Sequence, residues 1–463
     1  MVTVTPDVLD ALVAPARTIL PKIWLEIDGA DVDITPDLMT LDTTDEVTDA
    51  SADIPYGCVS CNRLDIELNN LDNKYLLDND KSPYYGKLIA QRKVTLQYRI
   101  KVATGWYVLP KVYYYTDTWK SSTDSGTAHV LCLDYLSLFA NKEVPSFRVQ
   151  EGITFYDAFE LLFKLVGIPS SKYRISEKLK YAMTYFWNTG ELFQAQLQAL
   201  CTTAVANVFV DKNEIIQVTS LIDPAASCWT INDSDLLLNV SAEPTFDSIY
   251  SAVRINYKKY QSKSISSIYT NDNVTLKPGF NILADLPFNS DLVTKVVSAT
   301  LSEGRSLSIN KMDYSNRTVT LECFNGSGVT QTVRLDIYGE VIQTSDEVLR
   351  LDNRNAEVDN VLEITMNYVS PVALIAIMGK RLLANYSGLV RELTIDVRSM
   401  PVLDIYDRIK IHSASTNIEQ EYRIKQINNT FDSGLTGSIV VTVPTDKASS
   451  GFVFVGPGQI IGV

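Results

Sequence analysis

Polar and apolar residues alternate one by one through Arg63-Leu64-Asp65-Ile66-Glu67-Leu68, and again through Lys93-Val94-Thr95-Leu96-Gln97-Tyr98-Arg99-Ile100. Successive side chains of a strand point to opposite faces, so this period of two predicts strands with one face buried and one in water. Further strands are expected at 22–27 and 32–35, joined across Asp28-Gly29, and at 106–115 and 128–133. Thr5-Pro6-Asp7 predicts a short helix to about residue 13, with proline at its first position.

The period changes after about residue 150. Phe155, Phe159, Leu162 and Val166 recur at helical spacing behind Thr154 and Asp157, a capping-box pattern with Asp in place of Glu. Gly167 and Pro169 stop that helix. A second helix is expected over 190–204, capped by Asn188, and then a hairpin of 207–210 with 214–218 across Asp211-Lys212-Asn213. Strand signals return at 251–257. Residues 262–274 are polar and read as loop. Residues 274–342 hold short strands with turns at Lys277-Pro278-Gly279 and Asn325-Gly326-Ser327-Gly328, the spacing of a small β-sandwich. Ser370-Pro371 opens a helix that ends near Ser387-Gly388, and strands follow at 392–397, 408–412, 422–427 and 438–443.

Two distant segments share an order of elements. Arg92-Lys93-Val94-Thr95-Leu96 precedes Asp124-Ser125-Gly126 and His129-Val130-Leu131; Asp407-Arg408-Ile409-Lys410-Ile411 precedes Asp432-Ser433-Gly434 and Ser438-Ile439-Val440-Val441. Each reads as strand, turn, strand, Asp-Ser-Gly turn, strand. The repeat predicts two related β-barrel domains, with the residues between them as insertions.

Bulk properties narrow the function. At 463 residues the chain has room for two to four domains, and 46% hydrophobic residues fill several cores. The net charge of -14 opposes binding to phosphate backbones or to an anionic membrane. Residues 1–60 hold 12 acids against Arg17 and Lys22, a charge of -10. No stretch offers about 18 uncharged apolar residues for a membrane span, and Asp7 and Asp10 stand where a secretory leader would be basic and then apolar. Assembly in a cytoplasm is expected.

Catalytic, cofactor and metal sites are expected to be absent. Cys58 and Cys61 form one C-x-x-C, Cys132, Cys201, Cys228 and Cys323 are scattered, and all six read as free thiols. His129 and His412 read as ordinary strand residues. No G-x-S-x-G, phosphate-binding Gly-rich loop or H-E-x-x-H occurs. Asp78-x-Asp80-x-Ser82 begins like a calcium loop, but Pro83 and Ile89 stand where glycine and glutamate are needed. The 55 acids supply many carboxylate pairs whose separation the sequence does not set.

Leu68-Asn69-Asn70-Leu71-Asp72-Asn73-Lys74-Tyr75, then Asp80-Lys81-Ser82-Pro83-Tyr84-Tyr85-Gly86-Lys87-Leu88, then Arg92-Lys93-Val94, resembles the N-terminal signature of the phage tail hub family, which includes baseplate hubs and tail-tip hubs. The helix ending Leu161-Leu162-Phe163-Lys164-Leu165-Val166-Gly167-Ile168-Pro169, the 194–201 helix and Val208-Phe209-Val210-Asp211-Lys212 are similar to that family's second domain. Tyr406-Asp407-Arg408-Ile409 resembles the approach to its second barrel, with Ile405-Tyr406 where the family has glycine. The resemblance covers about 300 residues, most firmly 60–220.

The resemblance implies a fold that is mainly β with α+β: two tube-type β-barrels, an inserted small α+β domain and an inserted β-sandwich. The expected division is 1–145, a first barrel with an N-terminal helix; 146–240, the α+β domain; 241–262 with 388–446, the second barrel; 263–387, the sandwich plus a helix; and 447–463, an apolar tail. It implies a homotrimer whose six barrels join the six-fold tail tube to a three-fold spike or tip, with the distal tail or tail tube protein, the spike or tip protein and the tape-measure protein as partners. No stable nucleic-acid binding and no cofactor are expected.

The carboxylates of 1–60 read either as a solvated acidic loop or, on the hub reading, as a surface that faces the channel and repels phosphate over about 10 Å. The uncharged tail 448–463 reads either as a mobile tail or as a docking strand or plug. The chain ends too soon after the second barrel to carry a cell-wall hydrolase. The competing reading is an adhesin whose sandwich binds a host glycan, although Phe280, Phe288, Tyr314, Phe324 and Tyr338 come with no Trp there. An enzyme acting on surface polysaccharide is the third.

Overall fold

The computed structural model of the chain describes residues 2–47, 57–220, 227–232, 237–242, 249–290, 292–302, 304–353, 360–386, 392–413, 418–442, 452–455 and 459–462. It is mainly β. Arg63–Asn69 buries Leu64, Ile66 and Leu68 and turns the alternate residues toward solvent, as its period requires. It lies antiparallel between Leu38–Glu46 and Thr127–Leu133. Val112–Ser122, Lys93–Val102, Ile19–Ile27 and Ala30–Asp33 continue the sheet in that order. Helix Pro6–Val13 packs Val8 and Leu12 into the same core.

A second set of strands repeats the first. From Leu237–Ala242 the order runs Glu392–Val397, Leu435–Thr442, Ile418–Phe431, Arg408–Ser413 and Ser227–Asn232. In the first set it runs Leu38–Glu46, Arg63–Asn69, Thr127–Leu133, Val112–Ser122, Lys93–Val102 and Ile19–Ile27. One outer pairing differs: Ser227–Asn232 is parallel to its neighbour, whereas Ile19–Ile27 is antiparallel.

The irregularities also coincide. A bulge between Thr116 and Thr118 matches one between Ile424 and Gln426, and a register shift at Leu38/Thr40 matches one at Leu237/Asn239. Gln91 and Tyr406 both have left-handed backbones, with φ of 64° and 70°. Each donates its N–H across to the equivalent strand, at Thr116 and Ile424. Matching these features lays Arg92–Leu96 on Asp407–Ile411 and His129-Val130-Leu131 on Ser438-Ile439-Val440. The repeat read from sequence is thus a repeat of structure.

The two sets are not two closed barrels, which corrects the expectation. A strand has two edges. Leu38–Glu46 has Arg63–Asn69 on one and Ile418–Phe431 on the other, in a ladder from Leu41↔Phe431 to Glu46↔Gln426, so it does not close onto Ile19–Ile27. Ile418–Phe431, at 14 residues, is long enough to hold Arg408–Ser413 along its first half and Leu38–Glu46 along its second. One fourteen-stranded sheet results, over one core shared by Leu41, Ile66, Val130, Ile395, Ile409 and Ile427.

The α+β unit holds helices Phe155–Leu165 and Phe193–Ala204 over a sheet of Tyr173–Ile175, Ile216–Ser220 and Ala206–Val210. Thr154 caps the first helix, its oxygen accepting Asp157 N–H at 3.1 Å. Asn188 does not cap the second. It donates to the Val144 carbonyl at 2.7 Å and accepts Gly190 N–H, and the helix begins later, behind Leu192. Ser227–Asn232 and Leu237–Ala242, placed with this unit by the sequence, belong to the large sheet.

Ala252–Tyr260 was expected in the second barrel. It pairs instead with Thr344–Asp352 and Val361–Met366. The cause is its buried face: Val253, Ile255 and Tyr257 join Ile375, Met378 and Leu382 of helix Val372–Tyr386 in a core continuous with the α+β unit. The ladder brings Tyr260 opposite Thr344, and the sandwich grows from that end. Its two three-stranded sheets are Ser264–Leu276, Gln331–Val341, Val293–Ser302 and Gly279–Pro287, Thr318–Asn325, Leu307–Tyr314. Residues 262–274, expected as loop, are mostly strand. Ile268 and Val274 are buried, but two register shifts break the alternation that would have revealed it. In the tail, the backbone of Phe452–Val455 pairs with Gln459–Gly462, and the rest of 447–463 lies outside the described residues.

Candidate functional site: a polar sheet face and its open edges

Eight strands, four from each set, run side by side: Leu237–Ala242, Glu392–Val397, Leu435–Thr442, Ile418–Phe431, Leu38–Glu46, Arg63–Asn69, Thr127–Leu133 and Val112–Ser122. From Glu392–Val397 to Val112–Ser122, one face of this run is the shared core. The other carries the alternate residues, mostly Thr, Ser and Asn with charges among them. Its described acids include Asp42, Glu46, Asp65, Glu67, Glu392 and Asp396, against Arg63, Lys120 and Lys425. Arg63 is tied to Asp65, and Lys425 to Glu392 at 2.9 Å. The surplus is acidic, and such a face wets and repels anions over about a Debye length, roughly 10 Å.

The acids of 1–60 divide. Asp42 and Glu46 lie on this face. Asp28, Asp33 and Asp37 lie on the outlying hairpin and the turn after it, beside Lys87 at 2.8 Å, Lys22 at 3.3 Å and Lys74 at 2.8 Å. Asp45 points into the core and accepts the Tyr114 hydroxyl at 3.1 Å; burial pushes its pKa up. Asp49 and Asp53 lie outside the described residues. The sequence excess is therefore offset partly by lysines beyond residue 60 and does not form one patch.

Polar side chains knit the join. Asn429 is buried; it donates to the Thr43 hydroxyl at 3.0 Å and accepts the Ser399 hydroxyl at 2.6 Å. Thr430 donates to Asp42 at 2.6 Å. A second seam ties the α+β unit to the sheet. Lys212 Nζ donates to the carbonyls of Pro401, at 3.0 Å, and Leu403, and Lys212 N–H donates to Asp404 at 3.3 Å. Burial raises Asp404 to about 7, opposed by Lys212 and reinforced by Asp45, Asp211 and Asp407. Sequence reasoning saw Lys212 as a turn residue only, since its partners lie about 190 residues away.

Tyr406 belongs to the Ile405-Tyr406 pair that stands where the resembled family has glycine. Its ring lies under the Arg423 guanidinium at 4.2 Å and beside Phe209 at 5.5 Å, and its hydroxyl donates to the Ser220 carbonyl at 3.2 Å. These contacts hold a left-handed backbone that glycine would adopt without strain.

Cys58 and Cys61 sit in another seam. Val59 bridges to Val208, and the Cys61 thiol donates to Asp134 at 3.3 Å. Asp134 also accepts Asn62 N–H at 2.7 Å and Leu136 N–H at 2.9 Å, and burial raises it to about 6. All six cysteines are free thiols. His129 lies on the polar face, 3.4 Å from Asp65, and His412 stands opposite Glu419 on an exposed strand position. Asp78 and Asp80 are exposed, whereas the Ser82 hydroxyl donates to Lys74 O. Among the described residues no three His, Cys, Asp or Glu side chains gather as metal ligands, and no helix is long and apolar enough to cross a membrane.

The Asn/Asp-rich loop satisfies its own backbone. Asn69, Asn70, Asp72 and Asn79 accept N–H groups of Leu71, Tyr75, Lys74 and Lys81. Tyr75 is fully buried within it, donating to Asp37 at 2.8 Å and stacking on Tyr84 and Trp119. Leu71, Leu77, Tyr85 and Ile89 remain exposed on its surface. In the sandwich, Phe280 is 75% exposed above Phe324.

No family model matches the sequence. No curated protein matches it either. Solved structures do. The 43 kDa tail protein of prophage MuSo2 from Shewanella oneidensis is 11% identical, with a TM-score of 0.52 over 92% of this chain and 99% of that one. The tail protein from Neisseria meningitidis MC58 is 9% identical, with the same TM-score and the same coverage. The similarity runs along nearly the whole of both proteins, and the chain has the fold of these tail proteins.

Proposed function

We propose that the chain is a structural hub of a phage or phage-like tail, joining a six-fold tube to three-fold tip or spike components around a channel. The observation that carries this is the duplicated strand set fused into one sheet. Two equivalent units per chain let three chains present six similar units to a six-fold partner and three identical ones to a three-fold partner. The polar, acid-tipped face of the eight-strand run is the natural channel lining, because carboxylates and hydroxyls leave a passing polyanion unbound. The tail fold shared with the two solved proteins supports the same role, and with it a place in the tail of a virion or related particle, a tail tube protein and a spike or tip protein as partners, and a mechanical rather than catalytic task.

Light scattering on the purified chain tests this. The expected mass is three times 51.6 kDa across a range of concentrations. A chain that stays at 51.6 kDa at every concentration, and also fails to ring up on isolated tail tubes, overturns the reading. Exposed Phe280 and Ile282 on sandwich strand Gly279–Pro287 favour a second task, a glycan contact made from the same hub. A glycan array with the full chain and with Phe280→Ser separates that task from assembly.

A further inference from the structure

The sandwich meets the body of the molecule around an open cleft of about 360 Å³. Its floor is the outer face of the sheet Gly279–Pro287, Thr318–Asn325, Leu307–Tyr314. There Thr318, Thr320 and Glu322 turn away from the core held by Val319, Leu321 and Cys323. Ser146 lines the cleft from the body's side. The two sides are fixed to each other. Asn316 N–H donates to Phe147 O at 2.9 Å, and its side chain donates to Asn188 O at 2.8 Å. Arg148 lies 4.3 Å from the Tyr314 ring and 3.3 Å from Asp313. A cleft braced in this way exists before any ligand arrives, which lowers the cost of binding. Two features point to a ligand. First, strand Gly279–Pro287 is bulged between Leu283 and Leu286, and Asp285 sits in the bulge with a left-handed φ of 51°. Its N–H donates to the Thr320 hydroxyl at 3.3 Å. Asp285 lines the cleft, and its carboxylate has no hydrogen-bond or ion-pair partner among the described residues. A bulge re-aims a side chain, and a left-handed backbone at aspartate is strain that the surroundings maintain. Second, the register sets Ile282 opposite Glu322 and Phe280 opposite Phe324, two residues further along. Ile282 and Phe280 are 71% and 75% exposed, and the rings of Phe280 and Phe324 lie 5.0 Å apart. One sheet face therefore carries a polar cleft that runs into an aromatic shelf.

We propose that this face binds a saccharide without acidic groups, neutral or amino-bearing, with a sugar ring on Phe280 and Phe324 and the hydroxyls of its neighbour in the cleft. The inference rests on the glycan reading of the sandwich and gives it a site and a ligand class. Saccharide hydroxyls both donate and accept. The cleft answers them with the hydroxyls of Ser146 and Thr320, which do both, with carboxylates that accept and with Lys311, which donates. The aromatic shelf offers a flat apolar face to the C–H side of a ring. A volume of about 360 Å³ lies in the range of small-ligand sites, roughly 300–1,000 Å³. Charge sets the class. Asp285, Asp313 and Glu322 outnumber Lys311, which lies 3.5 Å from Glu322, and Arg148 is already engaged by Asp313. A carboxylate or phosphate on the ligand would meet like charge, whereas an ammonium group or a plain hydroxyl would find Asp285 open to it.

A glycan array holding neutral, amino-bearing and acidic saccharides, probed with the full chain, tests the class, and titration of the strongest hit tests the site. Hits are expected among the saccharides without acidic groups. Asp285→Gly keeps the left-handed backbone and removes the carboxylate. It should weaken the strongest hit by about tenfold or more, the effect of losing a hydrogen bond to a charged group. Phe280→Ser should weaken it several-fold. Ile265→Ser, at a position 65% exposed on the other sheet of the sandwich, should leave the affinity unchanged. Thermal unfolding of each variant is read in parallel; Asp285, Phe280 and Ile265 are all exposed, and each variant should unfold as the parent chain does. Binding that survives both Asp285→Gly and Phe280→Ser overturns this site and leaves the glycan reading standing. An equal loss in Ile265→Ser would mean general adhesion of apolar surface and would overturn the site. Hits confined to acidic saccharides overturn the ligand class. An array without a hit overturns the glycan reading and this site together and leaves the hub reading untouched.

Discussion

Asn429 is the side chain on which the fusion of the two strand sets is best tested. Its amide donates to Thr43 of the first set and accepts from Ser399 of the second, inside the core. Asn429→Ala removes two hydrogen bonds and leaves two buried hydroxyls without these partners. A net hydrogen bond contributes about 0.5–1.5 kcal/mol and an orphaned buried group costs about 1–3. The hydroxyls can rotate to other acceptors, so a loss of about 2–3 kcal/mol is expected, or roughly 30- to 150-fold in the opening equilibrium. Amide hydrogen exchange is the assay, because it resolves each strand. Protection should fall by that factor in 426–431 and, by a similar factor, in 41–46, although the mutation lies some 380 residues from the latter. Thr43→Val should reproduce part of the effect and add less than fully to Asn429→Ala. If only 426–431 loosens while 41–46 keeps its protection, the two sets are not one cooperative sheet and the reasoning fails.

Other consequences can be checked alongside. At Tyr406, with φ of 70°, glycine should be the better small residue: Tyr406→Gly is expected to be more stable in urea than Tyr406→Ala by about 1 kcal/mol, and the reverse order would deny the left-handed backbone. Asp404, raised to about 7, and Asp134, raised to about 6, bind protons more tightly folded than unfolded. Their protonated forms favour the fold, and that stability is lost as pH rises from the unfolded value near 3.9 through the folded values. Between pH 6 and 8 the unfolding free energy from urea titration should therefore fall by on the order of 1 kcal/mol, and Asp404→Asn should flatten the change; a stability that rises would contradict it. Because Tyr260 and Thr344 are opposed at the base of the sandwich, replacing 261–343 by a short Gly-rich turn should leave the oligomer mass and the exchange protection of the large sheet unchanged. Loss of the oligomer would place the sandwich in the assembly contact.

Local patterns made much of this legible. Alternation at 63–68 and 93–100 marks strands whatever they pair with, and the Thr154–Asp157 cap is local chemistry. The repeat was visible because both copies keep a basic residue, alternating apolar positions and an Asp-Ser-Gly turn at the same place. Pairing was not legible. Alternation says that Ala252–Tyr260 has a buried face, not that helix Val372–Tyr386 covers it. The ladder between 41–46 and 426–431, which opens the barrels into one sheet, depends on a contact between the two ends of the chain that no local signal records. Ser264–Leu276 was hidden by its own register shifts. Of the site, the acids of 1–60 were counted correctly, but their lysine partners at 74 and 87 became visible only in the fold.

The duplication also explains why an acid-rich, polar face can exist without weakening the fold. From Glu392–Val397 to Val112–Ser122 the strands of this run bury alternate residues in the common core, which leaves the outer face free to take Thr, Ser, Asn and carboxylates. The measurement that bears most directly on the hub is electron microscopy of the purified assembly viewed end-on. Six similar lobes around an open channel, with three sandwiches outside them, are the expected result. Three unconnected beads, or a particle whose polar sheet face points outward and away from any channel, would contradict it.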